Sequence, residues 1–322
     1  MANDKKFIVK NGLCAQNVEL YSPDGANTLI MSMSNGSNVL TFGGTVNFNA
    51  ITQGGCTVGA GLDSQKNFTV VDACSLSSTG CHNTFIGCNA GRSTTFGKYN
   101  TYIGCAAGGC ATTASYNNFI GRWAGRYTTT GQLNNFFGLA TGYCNTIGSY
   151  NNFFGFCAGK FNTEGNKNVF IGSFAGNANT TGGCNVYIGP NAGDRNTLGG
   201  RNIALGFYAG RGCSGSTGCY NTFLGYYTGN RITTGNHNIA IGATAGQYLS
   251  FGSYNIAFGC SAGKGTTTGC HNIYMGRQSG SASPTGVNNI FFGRYSGLRN
   301  TTGCYNIFAG SCAGLCNTTG RS

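Results

Sequence analysis

The chain has 322 residues, of which 57 are glycine, 17 cysteine and only 3 proline, and 8% are charged. An average protein carries roughly 7% glycine and about 25% charged residues, so an ordinary charged globular surface is excluded. Collagen and a Pro/Gly linker are excluded by the lack of proline. Aromatics at 12% exclude disorder, and a formal net charge of +12 points to anionic partners.

Residues 1–77 carry no period and are read as a β-rich attachment or nucleation region. They hold 4 Lys/Arg against 5 acids. The start, Met1 to Lys10, lacks an apolar core of about 7–15 residues. No run of about 18 apolar residues occurs anywhere. Neither a leader nor membrane insertion is expected, and assembly in a cytoplasm is. The cysteines are odd in number with no C-x-x-C spacing, so they are read mainly as small apolar residues in a reducing compartment.

From residue 78 a period of 17 residues takes over. A glycine closing an N-x-x-Φ-G segment recurs fourteen times, from Gly87 to Gly310, in steps of 17 with one step of 19 between Gly206 and Gly225. The consensus is N-x-Φ-Φ-G-x-x-A-G-x-x-x-T-x-G-x-x. Such a repeat is too short and too rich in glycine for two helices. It fits one coil of a parallel β-solenoid, whose strands stack about 4.8 Å apart. The expected fold is all-β: residues 78–322 form a β-solenoid, or β-roll, of 14 coils. The two-residue insertion within Gly212–Ser216 marks a solvent-facing turn.

Each coil opens on an asparagine: Asn83, Asn100, Asn117, Asn134, Asn151, Asn168, Asn185, Asn202, Asn221, Asn238, Asn255, Asn272, Asn289 and Asn306. Stacked at the coil rise, these amides form a structural ladder. The strand that follows is apolar on both faces. Ile86, Ile103, Ile120 and Phe137 line one face, read as the interior beside the small column Ala90, Ala107, Ala124. The other face carries Phe85, Tyr102, Phe119, Phe136, Phe153, Phe170, Phe223, Phe291 and Phe308. A strand apolar on both faces is buried on both, and one coil has one interior. The second face is therefore expected to be an oligomer interface, most simply in a homotrimer around the fibre axis.

Catalysis, metals and cofactors find little support. The only carboxylates after residue 77 are Glu164 and Asp194, two coils apart at different phases, too far for the carboxylate pair of a glycosidase. No enzyme is expected. His82, His237 and His271 each precede a ladder asparagine, in a column shared with Tyr99, Tyr116, Tyr150, Tyr220, Tyr254 and Tyr305, and read as stacked planar groups. Cys81-His82 and Cys270-His271 lack paired zinc spacing. Cys88 and Cys105 share a phase on adjacent coils. Gly259 to Lys264 has the wrong spacing for a phosphate loop. Eleven coils carry Thr eight residues past the first glycine, from Thr95 to Thr318. An ice-binding solenoid is the alternative of another class, although the next common Thr is at i+1 rather than i+2.

The array carries 15 Lys/Arg against 2 acids. Arg92, Arg126, Lys160, Arg211 and Lys264 share one phase, and Arg122, Arg277 and Arg294 another. From these columns and the aromatics near them, the candidate receptor or glycan-binding residues are Arg122, Trp123, Arg126, Tyr208, Tyr226, Tyr227, Arg277, Arg294 and Tyr295. The arginines attract an anionic envelope and the rings stack on sugars. Nucleic acid is not expected, because the cations are sparse.

The segment Asn83-Thr84-Phe85-Ile86-Gly87-Cys88-Asn89-Ala90-Gly91 and its echoes resemble the repeats of phage tail-fibre proteins. They are also similar to the N-S-V-A-I-G repeats of trimeric autotransporter adhesin heads, which are trimeric parallel β-rolls. Lys6-Phe7-Ile8-Val9-Lys10-Asn11-Gly12-Leu13 with Ser22-Pro23-Asp24-Gly25 resembles the start of cyanophage structural fibre proteins. The resemblance implies a structural fibre protein on a virion. Residues 1–77 would join a baseplate, neck or other fibre protein, and the shaft would meet a host-surface glycan. A self-assembling extracellular filament or adhesin is the alternative.

Overall fold

The computed structural model describes residues 80–321. Ahead of them it describes the strands Asn17–Tyr21, Thr28–Met33, Leu40–Phe42, Thr52–Gln53, Cys56–Thr57, Gly61–Leu62 and Phe68–Val70. The segments Lys6–Leu13 and Ser22–Gly25 lie outside the described residues. The chain divides into two compact units, Met1–Asn49 and Ala50–Ser322. In the first, Asn17–Tyr21, Thr28–Met33 and Leu40–Phe42 form an antiparallel three-stranded sheet.

The second unit is the solenoid. Fourteen strands of three residues, from Thr84–Ile86 to Ile307–Ala309, stack in parallel and in register. The pairing Phe119↔Phe136 shows the 17-residue step, and Ala204↔Phe223 the step of 19. The sheet begins two strands before the repeat: Gly61–Leu62 pairs antiparallel with Phe68–Val70, which runs parallel beside Thr84–Ile86. Each strand ends at a glycine because the chain must turn where coils touch. Gly121 has φ +135, and a Cβ there would meet the Gly138 carbonyl oxygen at 2.3 Å. The insertion sits where expected: Ser214 and Gly215 are exposed, and at Ser216 the period resumes with its carbonyl accepting the Thr197 N–H at 2.9 Å.

The interior reverses the face assignment made from alternation. Phe85, Tyr102, Phe119, Phe136, Phe153, Phe170 and Phe291 are 0% exposed inside a single chain, Phe223 is buried too, and Phe308 packs partly buried against them. They are the core and not an oligomer interface. The Ile86 column points outward; Ile171 is 38% and Phe258 52% exposed. The reason lies six residues past each ring. Gly142 has φ +57, and a Cβ there would meet the Phe136 ring at 2.4 Å. The ring lies flat on bare backbone, and flat rings stack at the coil rise: successive centroids from Phe85 to Tyr187 are 4.6–5.2 Å apart.

The asparagine ladder is formed, and all fourteen members are buried. Each Oδ1 up to that of Asn289 accepts the backbone N–H of the next asparagine, as Asn117 does from Asn134 at 2.9 Å. Each Nδ2 donates across the coil, as Asn134 does to Gly148 at 2.9 Å. The ladder thus joins both walls of the coil and ties it to its neighbour.

Candidate functional site

Three of the exposed columns bear on chemistry, and the first is the one preceding the ladder. Its residues have φ near +57, including His82, Tyr99, Tyr116, Tyr220, His237, Tyr254 and His271. Bulky side chains rarely adopt that conformation. Here ring stacking offsets the strain: Tyr220, His237, Tyr254 and His271 stack at 4.7–5.0 Å with interplanar angles of 7–8°. The histidines are plates in this column, as expected from their phase. Among the described residues no group of three His, Cys, Asp or Glu side chains comes together.

The threonine column is structural. Thr112 Oγ1 donates to the Thr129 carbonyl at 3.1 Å, Thr129 to Thr146 at 3.2 Å and Thr146 to Thr163 at 3.0 Å. These hydroxyls tie each coil to the next. The cysteines do more than pack. Cys219, Cys270 and Cys304 donate Sγ–H to the carbonyl two residues back, each at 3.3 Å. Ser115 and Ser149 do the same in that column, so the thiol replaces a hydroxyl in closing the turn.

The carboxylates are separated in role as well as in space. Glu164 is exposed. Asp194 faces Arg211, Nε to Oδ2 3.5 Å, yet burial raises its pKa against the pull of that guanidinium. Burial outweighs Arg211, Arg195 and the Asn177 side chain together, because these contacts do not replace the lost hydration.

The sequence-selected arginines and aromatics gather into three clusters on the turn that follows the strand. Arg122 lies over the Trp123 ring, Cζ 3.9 Å from its centroid. Arg126 faces Tyr127 at 5.3 Å and Tyr143 at 5.9 Å, and Tyr143 meets Trp123 and Tyr127 edge-on. Further along, Phe207, Tyr208, Tyr226 and Tyr227 pack together, with Arg211 over Tyr208 at 4.8 Å. Arg277 and Arg294 both approach Tyr295, at 5.9 and 5.0 Å. Tyr127, Tyr143, Phe207 and Arg211 join these clusters although sequence reasoning did not group them there. Their signal was available: they lie on the same turn as Trp123 or Tyr208, in the same coil or the next.

The third surface is the outer face of the sheet. The first and last positions of the fourteen strands, two columns side by side, hold no charged residue at all. Asn118, Asn135 and Asn152 form a side ladder near one end, at 2.8 and 2.7 Å. Beyond them the paired columns are almost wholly aliphatic and aromatic. Ile203, Ile239, Ile256 and Ile290 are 38–42% exposed, and Phe292 is 58% exposed. Comparisons with family models, with curated proteins and with solved structures found nothing that matches this chain.

Proposed function

We propose that the chain is the shaft of a phage fibre, built from three parallel copies, which provides reach and adheres to an anionic host surface. The observation that carries this reading is the uncharged outer face of the sheet. It extends over about 60 Å, the rise of fourteen strands, and is about 10 Å wide. Its outline, on the order of 600 Å², approaches the roughly 800 Å² per partner of a stable interface, and corrugated side chains enlarge it. None of the 15 cations of the array lies in its two columns, so like charge disfavours contact through the ridges that carry them.

The two edges of that face favour a parallel, cyclic arrangement. One edge is the Tyr/His column, and the other holds Arg122, Leu139, Phe156, Phe207 and Tyr226. In a head-to-tail ring each edge meets its complement on the same coil: Tyr116 with Arg122, Leu133 with Leu139, Tyr150 with Phe156, Arg201 with Phe207. A fully overlapped antiparallel pair would set Arg122 against Arg277. The virion assignment follows the motif resemblance, and adhesion rests on the cluster residues beyond that edge, such as Arg126, Arg211 and Tyr295.

Replacing Ile239, Ile256 and Ile290 with Asp tests the interface. These side chains are partly exposed, so the coil should keep its circular dichroism while light scattering falls from three chains to one. A wild-type monomer at micromolar concentration would overturn the proposal.

A further inference from the structure

One cation stands on the same ridge at every second coil. The ridge consists of the positions five and six residues past the first glycine. It carries Arg92, Arg126 and Lys160, then Arg195 and Arg231, then Lys264 and Arg299, on the odd-numbered coils from the first to the thirteenth. The even coils present Cys110, Tyr143, Ala178, Gln247 and Ala282 there. Arg211, on the eighth coil, is the exception; Asp194 of the seventh, itself on the ridge, lies 3.5 Å from it and also acts on Arg195, so the three together leave a single net positive charge. Backbone bonds hold the ridge in register: Cys110 N–H to Arg126 at 2.8 Å, Cys144 to Lys160 at 2.8 Å, Tyr248 to Lys264 at 3.0 Å. With a coil rise of about 4.8 Å, unpaired charge recurs about every 9.6 Å. Aromatic rings lie beside it: Lys160 Nζ is 4.9 Å from the Phe161 centroid, and Arg231 Cζ 5.0 Å from that of Tyr248.

We infer that this ridge is a track for a linear acidic polysaccharide bearing one carboxylate or sulfate per disaccharide. The inference rests on the reading of the shaft as an attachment rod and names its ligand class. Duplex DNA carries a charge about every 1.7 Å, several times denser than the track. Rings beside the cations suit the C–H faces of pyranose units, and guanidinium suits carboxylate or sulfate in a forked contact. Alternation also reduces repulsion, because neighbours two coils apart sit near the Debye length of about 10 Å at 0.1 M salt. Repulsion alone would scatter the cations over several columns; it does not align seven on one ridge.

The test uses hyaluronan, duplex DNA and neutral dextran as probes, with affinities measured over a salt series. A spacing variant combines Lys160→Gln with Ala178→Lys and Lys264→Gln with Gln247→Lys. It keeps the net charge and moves two cations by one coil. Hyaluronan should bind the wild type and not dextran, weakening as salt rises, and the spacing variant should lose about tenfold, or about 1.4 kcal/mol. An off-ridge control, Lys98→Gln with Arg321→Gln, should stay within about twofold on the same scale. Hyaluronan binding that ignores the shift, equal capture of DNA and hyaluronan, or no binding at low salt would each overturn the inference. Light scattering on the same samples separates the two claims: trimers that ignore hyaluronan refute the ridge and leave the shaft.

Discussion

Asn185 shows what a single ladder position contributes. Its Oδ1 accepts the Asn202 N–H at 2.9 Å, and its Nδ2 donates to Gly199 at 2.9 Å. Asn185→Ala leaves both buried partners unpaired and should cost about 1–3 kcal/mol per chain, read as a lower denaturation midpoint; an unchanged midpoint would contradict the ladder's role. The buried phenols make a second prediction. Desolvation raises Tyr274 to about 12 and moves Tyr102 and Tyr187 upward as well. The folded chain therefore holds neutral phenols while the unfolded chain ionises first, near pH 10. That stability is complete below about pH 10 and lost as pH climbs towards 12. Tyr274→Phe should flatten the alkaline limb of the melting profile, and a limb of unchanged slope would mean that this phenol reaches water. Both the ladder and the stacked histidines were legible from phase alone, since an identical residue every 17 positions stacks on itself. The faces of the strand were not. Alternation separates Phe136 from Phe137 without saying which is inside; Gly142, under the ring, decides it.

Within a single coil, volume is conserved across positions rather than at each one. The aromatic column is broken by Ala204, Ala240 and Ala257, all buried. Three different side chains fill the gaps. A Cβ on Gly246 would meet Leu249 Cδ1 at 2.4 Å, so Leu249 occupies the slot that a ring at position 240 would take. Phe223 leans over Gly210 beside Ala204, and Tyr274 reaches Gly263 beside Ala257, tilted 45° from Phe291. Close packing makes such exchange necessary. Leu249→Ala should cost about 2–5 kcal/mol because nothing else fills the slot. Ala240→Phe alone should overpack the coil by about 1–3 kcal/mol. Combining it with Leu249→Asn reproduces the Phe153 and Asn162 pairing of the fifth coil and should recover stability. Additive losses in the double variant would refute the exchange. The sequence showed the alanines as departures from a column it took for an interface, so their partners were not sought.

For the solenoid as a whole, the 17-residue period, the insertion and the parallel stack were readable because every coil repeats the same constraints. The direction of the strand faces was not, and it changes which surface brings copies together. Chemistry is segregated around the coil: rings and amides inside, an uncharged face along the sheet, cations on the turns. Under the proposal, copies meet through the sheet face and its two edges, and the ridge that carries Arg92, Lys160 and Lys264 looks outward. A cryo-EM reconstruction of the purified protein in cross-section tests this most directly. The account expects three solenoids about one axis, with a rise near 4.8 Å, the outer strand columns such as Ile239 and Ile241 turned inward, and the Phe153 column enclosed within each chain. A lone solenoid, or an assembly whose strand faces look outward, would contradict it.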